Sequence, residues 1–181
     1  MNPIPEIPAP EGTPAASRDG LASVIGRLAH AVDEVLPPGD VAELRRLAPH
    51  DPASPTFFKL VASVLPEGTL PRDGARRDEA ERHWAVIFSC LATLRGLHRP
   101  GRRLGHALAD AEISELRVVR LLRARGEALL DATSVIARTL AVRGEAVDFT
   151  EIARLLLDEP HAEQVRRRIA RDYFAKIHEN A

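Results

Sequence analysis

From Leu21 onward the apolar side chains return every three or four positions: Leu21, Val24, Ile25, Leu28, Val32 and Val35 share one helical face. The same spacing recurs in Phe57, Phe58, Leu60, Val61 and Val64. It recurs again in Trp84, Ile87, Phe88, Leu91 and Leu94, where Val86 and Cys90 widen the stripe. The period-two alternation of a half-buried strand is missing. Aromatic residues make up only 4% of the chain, so the core must be built from Leu, Ala, Val and Ile, which favours helix packing.

Proline, glycine and capping residues divide this pattern into segments. Asp19 opens a first helix that Pro37-Pro38-Gly39 ends, and Asp40 caps a short helix from Val41 to Ala48, stopped by Pro49. Ser54-Pro55 opens another, closed by Pro66-Glu67-Gly68, and 66–78 reads as a polar loop. The longest helix is predicted from Asp78 to Leu97, broken by His98-Arg99-Pro100-Gly101 and placed centrally because its stripe needs partners on both sides. Short helices follow over Arg102 to Ala109 and, capped by Ser114, over Leu116 to Leu122; Glu127 to Val142 comes next. Asp148 with Glu151 has the pattern of an acidic cap and its reciprocal partner, and Pro160 starts a last helix ending near His178. The expected fold is all-α: eight or nine helices in two packed lobes without a sheet. The boundaries are a disordered proline-rich tail over 1–18, an N-terminal lobe over 19–99 and an Arg-rich C-terminal lobe over 100–181.

Several function classes find no support. One cysteine, Cys90, allows no internal disulfide and no zinc cluster, and its apolar helical setting predicts a buried thiol. No stretch reaches the ~18 apolar residues that span a bilayer, and Met1 to Ala16 lacks the features of a signal peptide, so a cytoplasmic protein without membrane contact is expected. No two of the seven histidines stand three or four apart. His83 and Cys90 share a helical face but sit ~10 Å apart along it, too far for a nucleophile and its base. Carboxylate pairs such as Glu127/Asp131 and Glu112/Glu115 fit solvated faces and cap positions. No phosphate-cradling glycine loop or dinucleotide fingerprint is present. The expectation is a non-enzyme with no cofactor, metal or small-molecule ligand.

Charge is more informative. The formal net charge is -1, yet of 25 basic residues all but Lys59 and Lys176 are arginines. Residues 1–40 hold two basic side chains, Arg18 and Arg27, against six acids, whereas 91–145 hold ten arginines against six acids. The last segment adds Arg166, Arg167, Arg168, Arg171 and Lys176. Arg117, Arg120 and Arg123 recur every three residues and predict a basic ridge. Arg99, Arg102 and Arg103 surround the Pro100-Gly101 break, and Arg45 with Arg46 forms a separate pair. Arginine grips phosphate two-pronged, so the set predicts a surface that tracks a nucleic-acid backbone. Lacking a recognition helix or an exposed stacking platform, that surface is expected to be sequence-tolerant. The competing reading is a helical scaffold that binds only proteins.

The order of motifs adds a resemblance. Gly39-Asp40-Val41-Ala42-Glu43-Leu44-Arg45-Arg46 follows a first amphipathic helix, and the Trp84 helix and Leu104-Gly105-His106-Ala107-Leu108-Ala109 come next. Ser114-Glu115-Leu116-Arg117-Val118-Val119-Arg120-Leu121-Leu122 follows, then Val147-Asp148 and Arg168-Ile169-Ala170-Arg171-Asp172-Tyr173-Phe174. Over nearly everything after the proline-rich tail, the chain resembles the small subunit of the type I-E CRISPR Cascade complex, the CasB or Cse2 family. Val41 departs from the polar or basic residue expected after Gly-Asp, which leaves Arg45 and Arg46 as the contacts there. The resemblance implies a helical, non-catalytic subunit, two copies of which brace the guide RNA–target DNA heteroduplex and hold the displaced DNA strand. Its implied partners are the backbone and large subunits, the guide RNA, the target DNA and a second copy of itself. The residues expected to meet nucleic acid are Arg45, Arg46, Arg99, Arg102, Arg103, Arg117, Arg120 and Arg123, with Arg143, Arg166, Arg167 and Arg168 as a second tier, of which the 166–168 run is an alternative contact with the second copy or the backbone subunits. Arg117 is the one expected to serve a carboxylate internally if any does.

Overall fold

The computed structural model describes residues 18–48, 54–157 and 159–180; the proline-rich segment lies outside them. Nine α-helices run through the described residues: α1 (Arg18–His30), α2 (Pro38–Arg45), α3 (Pro55–Val64), α4 (Gly74–Thr93), α5 (Leu104–Asp110), α6 (Glu115–Arg123), α7 (Gly126–Arg143), α8 (Phe149–Leu157) and α9 (Glu159–Asn180). Among them there is no sheet, only an isolated bridge between His98 and Val147.

The apolar stripes meet in one cluster that runs from Leu21 to Tyr173. Helix α4 is its axis. Its residues Trp84 to Phe88 and Cys90 to Ala92 are buried, and α1, α2, α7 and α8 all pack on it. Helix α9 closes the other end, lying along α5 and α8. The tightest point is Gly105: a Cβ there would sit 2.5 Å from the Ile169 carbonyl oxygen and 2.7 Å from Asp172 Cβ. Only glycine lets α5 and α9 approach this closely.

Several boundaries differ from those the sequence predicts, each for a local reason. Asp19 lies inside α1, not before it, and α1 continues as a wider π turn over Ala31–Val35. Pro38 does not end a helix. It opens α2, because proline is tolerated in a first turn where its missing N–H has no partner anyway, so Asp40 falls inside α2. Helix α2 ends at Arg45 instead of Ala48. Helix α4 starts four residues before Asp78 and ends at Thr93, where Gly96 at φ 76 turns the chain. Its first turns carry no apolar signal because 72–79 is exposed at every position. Phe57 is buried while its neighbour Phe58 is 45% exposed, since adjacent residues on a helix cannot share a face.

Capping at the two mid-chain junctions also differs in part. Ser54 Oγ accepts the Phe57 N–H at 3.2 Å, as its position before Pro55 implies. Asp148 caps α8 through Oδ1, which accepts the Thr150 N–H at 2.9 Å, and its Oδ2 accepts the Gly101 N–H at 2.9 Å. Glu151, expected to reciprocate, instead turns away. Its Oε2 accepts the Leu104 N–H at 2.7 Å and so caps α5, 47 residues away in sequence. Ser114 occupies the N-cap of α6 without a side-chain hydrogen bond.

Candidate nucleic-acid interface

Helix α6 buries Val118 and Leu121 against its neighbours α7 and α9, and this fixes which side faces out. The outward side carries Leu116, Arg117, Arg120 and Arg123, all exposed. None of the three guanidinium groups makes a hydrogen bond or ion pair with another described residue. Arg117 is therefore not the internal partner of a carboxylate. At 1.5 Å per residue the ridge is about 9 Å long. Unpaired guanidinium groups at this spacing suit successive phosphates of one strand.

The end of α6 explains a second group. Its last carbonyls form the negative end of the helix dipole, and two guanidinium groups cover them. Arg125 donates to Leu122 O at 3.0 Å and Ala124 O at 2.8 Å, and Arg166 donates to Ala124 O at 3.4 Å. Arg166 is buried; burial first and the nearby Arg125 second lower its pKa, with Glu163 opposing. Its guanidinium is turned inward and does not belong to the exposed set. Arg167, outside this packing, lies 3.4 Å from Glu163.

Most of the other predicted residues are held by acids or carbonyls. Arg102 pairs with Asp110 and lies 3.5 Å from Glu145. Arg103 donates to both oxygens of Asp172, at 3.1 and 3.3 Å, across α5 and α9. Arg143 lies 3.4 Å from Glu112, and Arg168 Nε lies 2.9 Å from Glu151 Oε1. Arg45 reaches back to α4, where its Nε donates to Ala92 O at 2.8 Å. Arg46 and Arg99 are exposed and unpaired among the described residues. The structure thus splits the predicted set: the guanidinium groups of Arg46, Arg99, Arg117, Arg120 and Arg123 are free, and the remainder are engaged by acids or carbonyls, weakly so in the exposed Arg143–Glu112 and Arg167–Glu163 pairs.

Further arginines of this kind, Arg72 and Arg171 among them, carry no local mark in the sequence. Arg138 on α7 is exposed and Arg82 on α4 half-buried, and neither pairs with another described residue. Each stands alone in its segment, so no local pattern marks it.

Other chemistry is weakly represented. Among the described residues no three metal-ligating side chains converge, and no helix is long and apolar enough to cross a membrane. Burial pushes the Cys90 thiol up to about 12, against the hydrogen bond from Ser134 and the charge of Arg138, so it stays protonated. An open groove of about 480 Å³ lies between the start of α6 and α9, with Tyr173 in its lining. The Tyr173 hydroxyl donates to Ile113 O at 2.6 Å, and burial, helped by Glu115, raises its pKa.

The comparisons agree with this architecture. A chain of the E. coli Cascade complex, solved bound to a PAM-containing dsDNA target, superposes with a TM-score of 0.64 at 22% identity, covering 85% of this chain and 96% of that one. CasB from Thermobifida fusca gives a TM-score of 0.62 at 18% identity, covering 86% and 96%. At these identities the likeness establishes the fold. A search of curated proteins finds no match. The model of the CRISPR-associated protein Cse2 family, however, matches residues 40–174, most of the chain and every free arginine named above. The chain belongs to the CRISPR-associated Cse2 family.

Proposed function

We propose that this chain is the non-catalytic small subunit of an RNA-guided Cascade complex and binds nucleic-acid backbone without reading sequence. The observation that carries the proposal is the α6 ridge, three exposed arginines in register with no acid to neutralise them. Family membership and a fold shared with a chain of target-bound E. coli Cascade support it. In such complexes base pairing with the guide carries specificity, so a subunit that reads only phosphates and shape is what the mechanism requires. R-loop formation is nearly balanced in energy; a few phosphate contacts available only in the open state tip it. The chain accordingly braces the guide RNA–target DNA heteroduplex and the displaced DNA strand, beside the backbone and large subunits and a second copy of itself.

Exposed aliphatic residues favour protein contacts as a second role. Leu116 is 72% exposed on the same face as the α6 arginines, and Val142 is 87% exposed near the end of α7. On the pure-scaffold reading such apolar contacts are the whole function and the arginines are idle. Salt titration separates the two. Binding to labelled single- and double-stranded DNA is measured from low to high salt for the wild type and for Arg117→Gln/Arg120→Gln/Arg123→Gln. Three lost phosphate contacts flatten the log–log slope by about 2.7 on duplex and by about 2.1 on single strands. Equal slopes for both proteins would leave the scaffold.

A further inference from the structure

We propose that the free chain pairs with a second copy of itself through the outer face of α7, as two antiparallel helices crossing at Val135. One side of α7 packs on α4, α6 and α8. The opposite side carries Ala128, Asp131, Val135, Arg138 and Val142, all exposed, at spacings of three and four residues in alternation. That alternation is the repeat by which two helices pack side by side, here as a narrow seam about 21 Å long. Val135, at its middle, is 44% exposed, and the still more exposed Val142 lies at its end.

Charge selects the partner. Along this face the acids come first, Glu127 and Asp131, and the bases last, Arg138 and Arg143. The dipole of α7 accounts for Glu127 and Arg143, because its influence fades beyond the first and last turns. Asp131 and Arg138 each lie one turn further in, where the dipole gives no reason for them. Neither side chain makes a hydrogen bond or ion pair with another described residue. Asp131 also stands four residues from Glu127, a like-charge spacing that weakens an isolated helix.

A two-fold axis through Val135 resolves all of this at once. It sets Val135 against Val135 of the second copy, Ala128 against Val142, Glu127 against Arg143, and Asp131 within one residue of Arg138. Each charge on the face then meets its opposite, so the face is complementary to itself, as a closed pair requires. A parallel pair would set acid on acid and base on base. Arg143 gives up only its exposed 3.4 Å pair with Glu112, which costs little. One helix face buries less than the ~1,200 Å² of a standard interface, so the pair is weak and exchanges freely. Under the proposed function, two copies lying the same way along one duplex are related by a shift, whereas the two-fold reverses one of them. The α7 pair is therefore a state of the free chain that assembly takes apart.

The test uses the full chain without nucleic acid. Sedimentation from about 1 µM to about 1 mM is expected to show monomer and dimer in equilibrium. Asp131→Arg alone, or Arg138→Asp alone, sets like charges together at two symmetric places and raises the dissociation constant about tenfold. The double exchange, Asp131→Arg/Arg138→Asp, returns it to within about twofold of the wild type. Thermal melts check the folding of each variant. Val135→Cys, on the axis, forms a disulfide between copies under mild oxidation, whereas Ser63→Cys, exposed on α3, does not. Cys90 is buried and adds no background. A chain that stays monomeric throughout overturns the inference. So does a dimer that neither single exchange weakens or that the double exchange fails to restore, and so do disulfides formed equally at 63 and 135. Arg117→Gln/Arg120→Gln/Arg123→Gln pairs as the wild type does, so loss of backbone binding and loss of pairing are told apart.

Discussion

Asp172 on α9 holds Arg103 with both carboxylate oxygens, at 3.1 and 3.3 Å, at the place where α5 and α9 come closest. Asp172 is nearly buried whereas Arg103 stays half-exposed, so the pair is tied to the fold more than to the surface. Asp172→Ala leaves a guanidinium without its acid and is predicted to cost about 1–2 kcal/mol in thermal or urea unfolding. Arg103→Gln should weaken DNA binding far less than loss of the α6 ridge, as binding titrations of the two variants would show.

Glu151 does two jobs from one position, capping α5 through Leu104 N–H and facing Arg168. Glu151→Ala removes a cap and leaves Arg168 largely inside the protein without its partner. The expected loss is about 2 kcal/mol, read as a lowered midpoint in urea with an unchanged m-value. Glu151→Gln, which keeps an acceptor for Leu104, should recover part of it.

Gly105→Ala reverses the usual sign of a helix substitution. Alanine is intrinsically the better helix former by about 1 kcal/mol. Here its Cβ would meet the Ile169 carbonyl at 2.5 Å, and backbone on α9 cannot step aside cheaply. A net destabilisation of about 1–3 kcal/mol is predicted, measured as a fall in unfolding temperature.

His98 gives the fold a pH dependence. Its Nδ1 accepts the Phe149 N–H at 3.2 Å, and burial lowers its pKa below the ordinary 6.5 despite Asp148, Asp33 and the Val147 backbone. The folded state therefore binds fewer protons than the unfolded chain in this range. The His98 contribution is present above pH 6.5 and is lost as pH falls from there through the folded-state pKa. His98→Asn keeps a side-chain acceptor without a titrating group. Between neutrality and mild acid the difference in stability between wild type and this variant should shift against the wild type.

What could be read from the sequence follows from how local each signal is. The α4 stripe needs only its own residues, and Trp84, Ile87, Phe88, Leu91 and Leu94 are all buried as the spacing requires. The α6 ridge is equally local: Val118 and Leu121 define the inner face, so Arg117, Arg120 and Arg123 have to face out. Whether an arginine is free is a different question, because its acid can lie anywhere in the chain. Arg103 finds Asp172 69 residues away and Arg166 finds Ala124 42 residues away, so neither commitment leaves a mark at short range. The same non-locality hid that Arg82 and Arg138 find no acid partner among the described residues.

The central claim is that the α6 arginines hold nucleic acid in the open R-loop, and the most direct test is the lifetime of that R-loop on the assembled complex. Complexes carrying wild-type chain or Arg117→Gln/Arg120→Gln/Arg123→Gln are first matched for subunit content, then their R-loops are followed after a salt jump. The account predicts intact assembly and an R-loop that collapses faster in the variant, increasingly so as salt rises. An R-loop equally long-lived in both complexes at every salt concentration would contradict it.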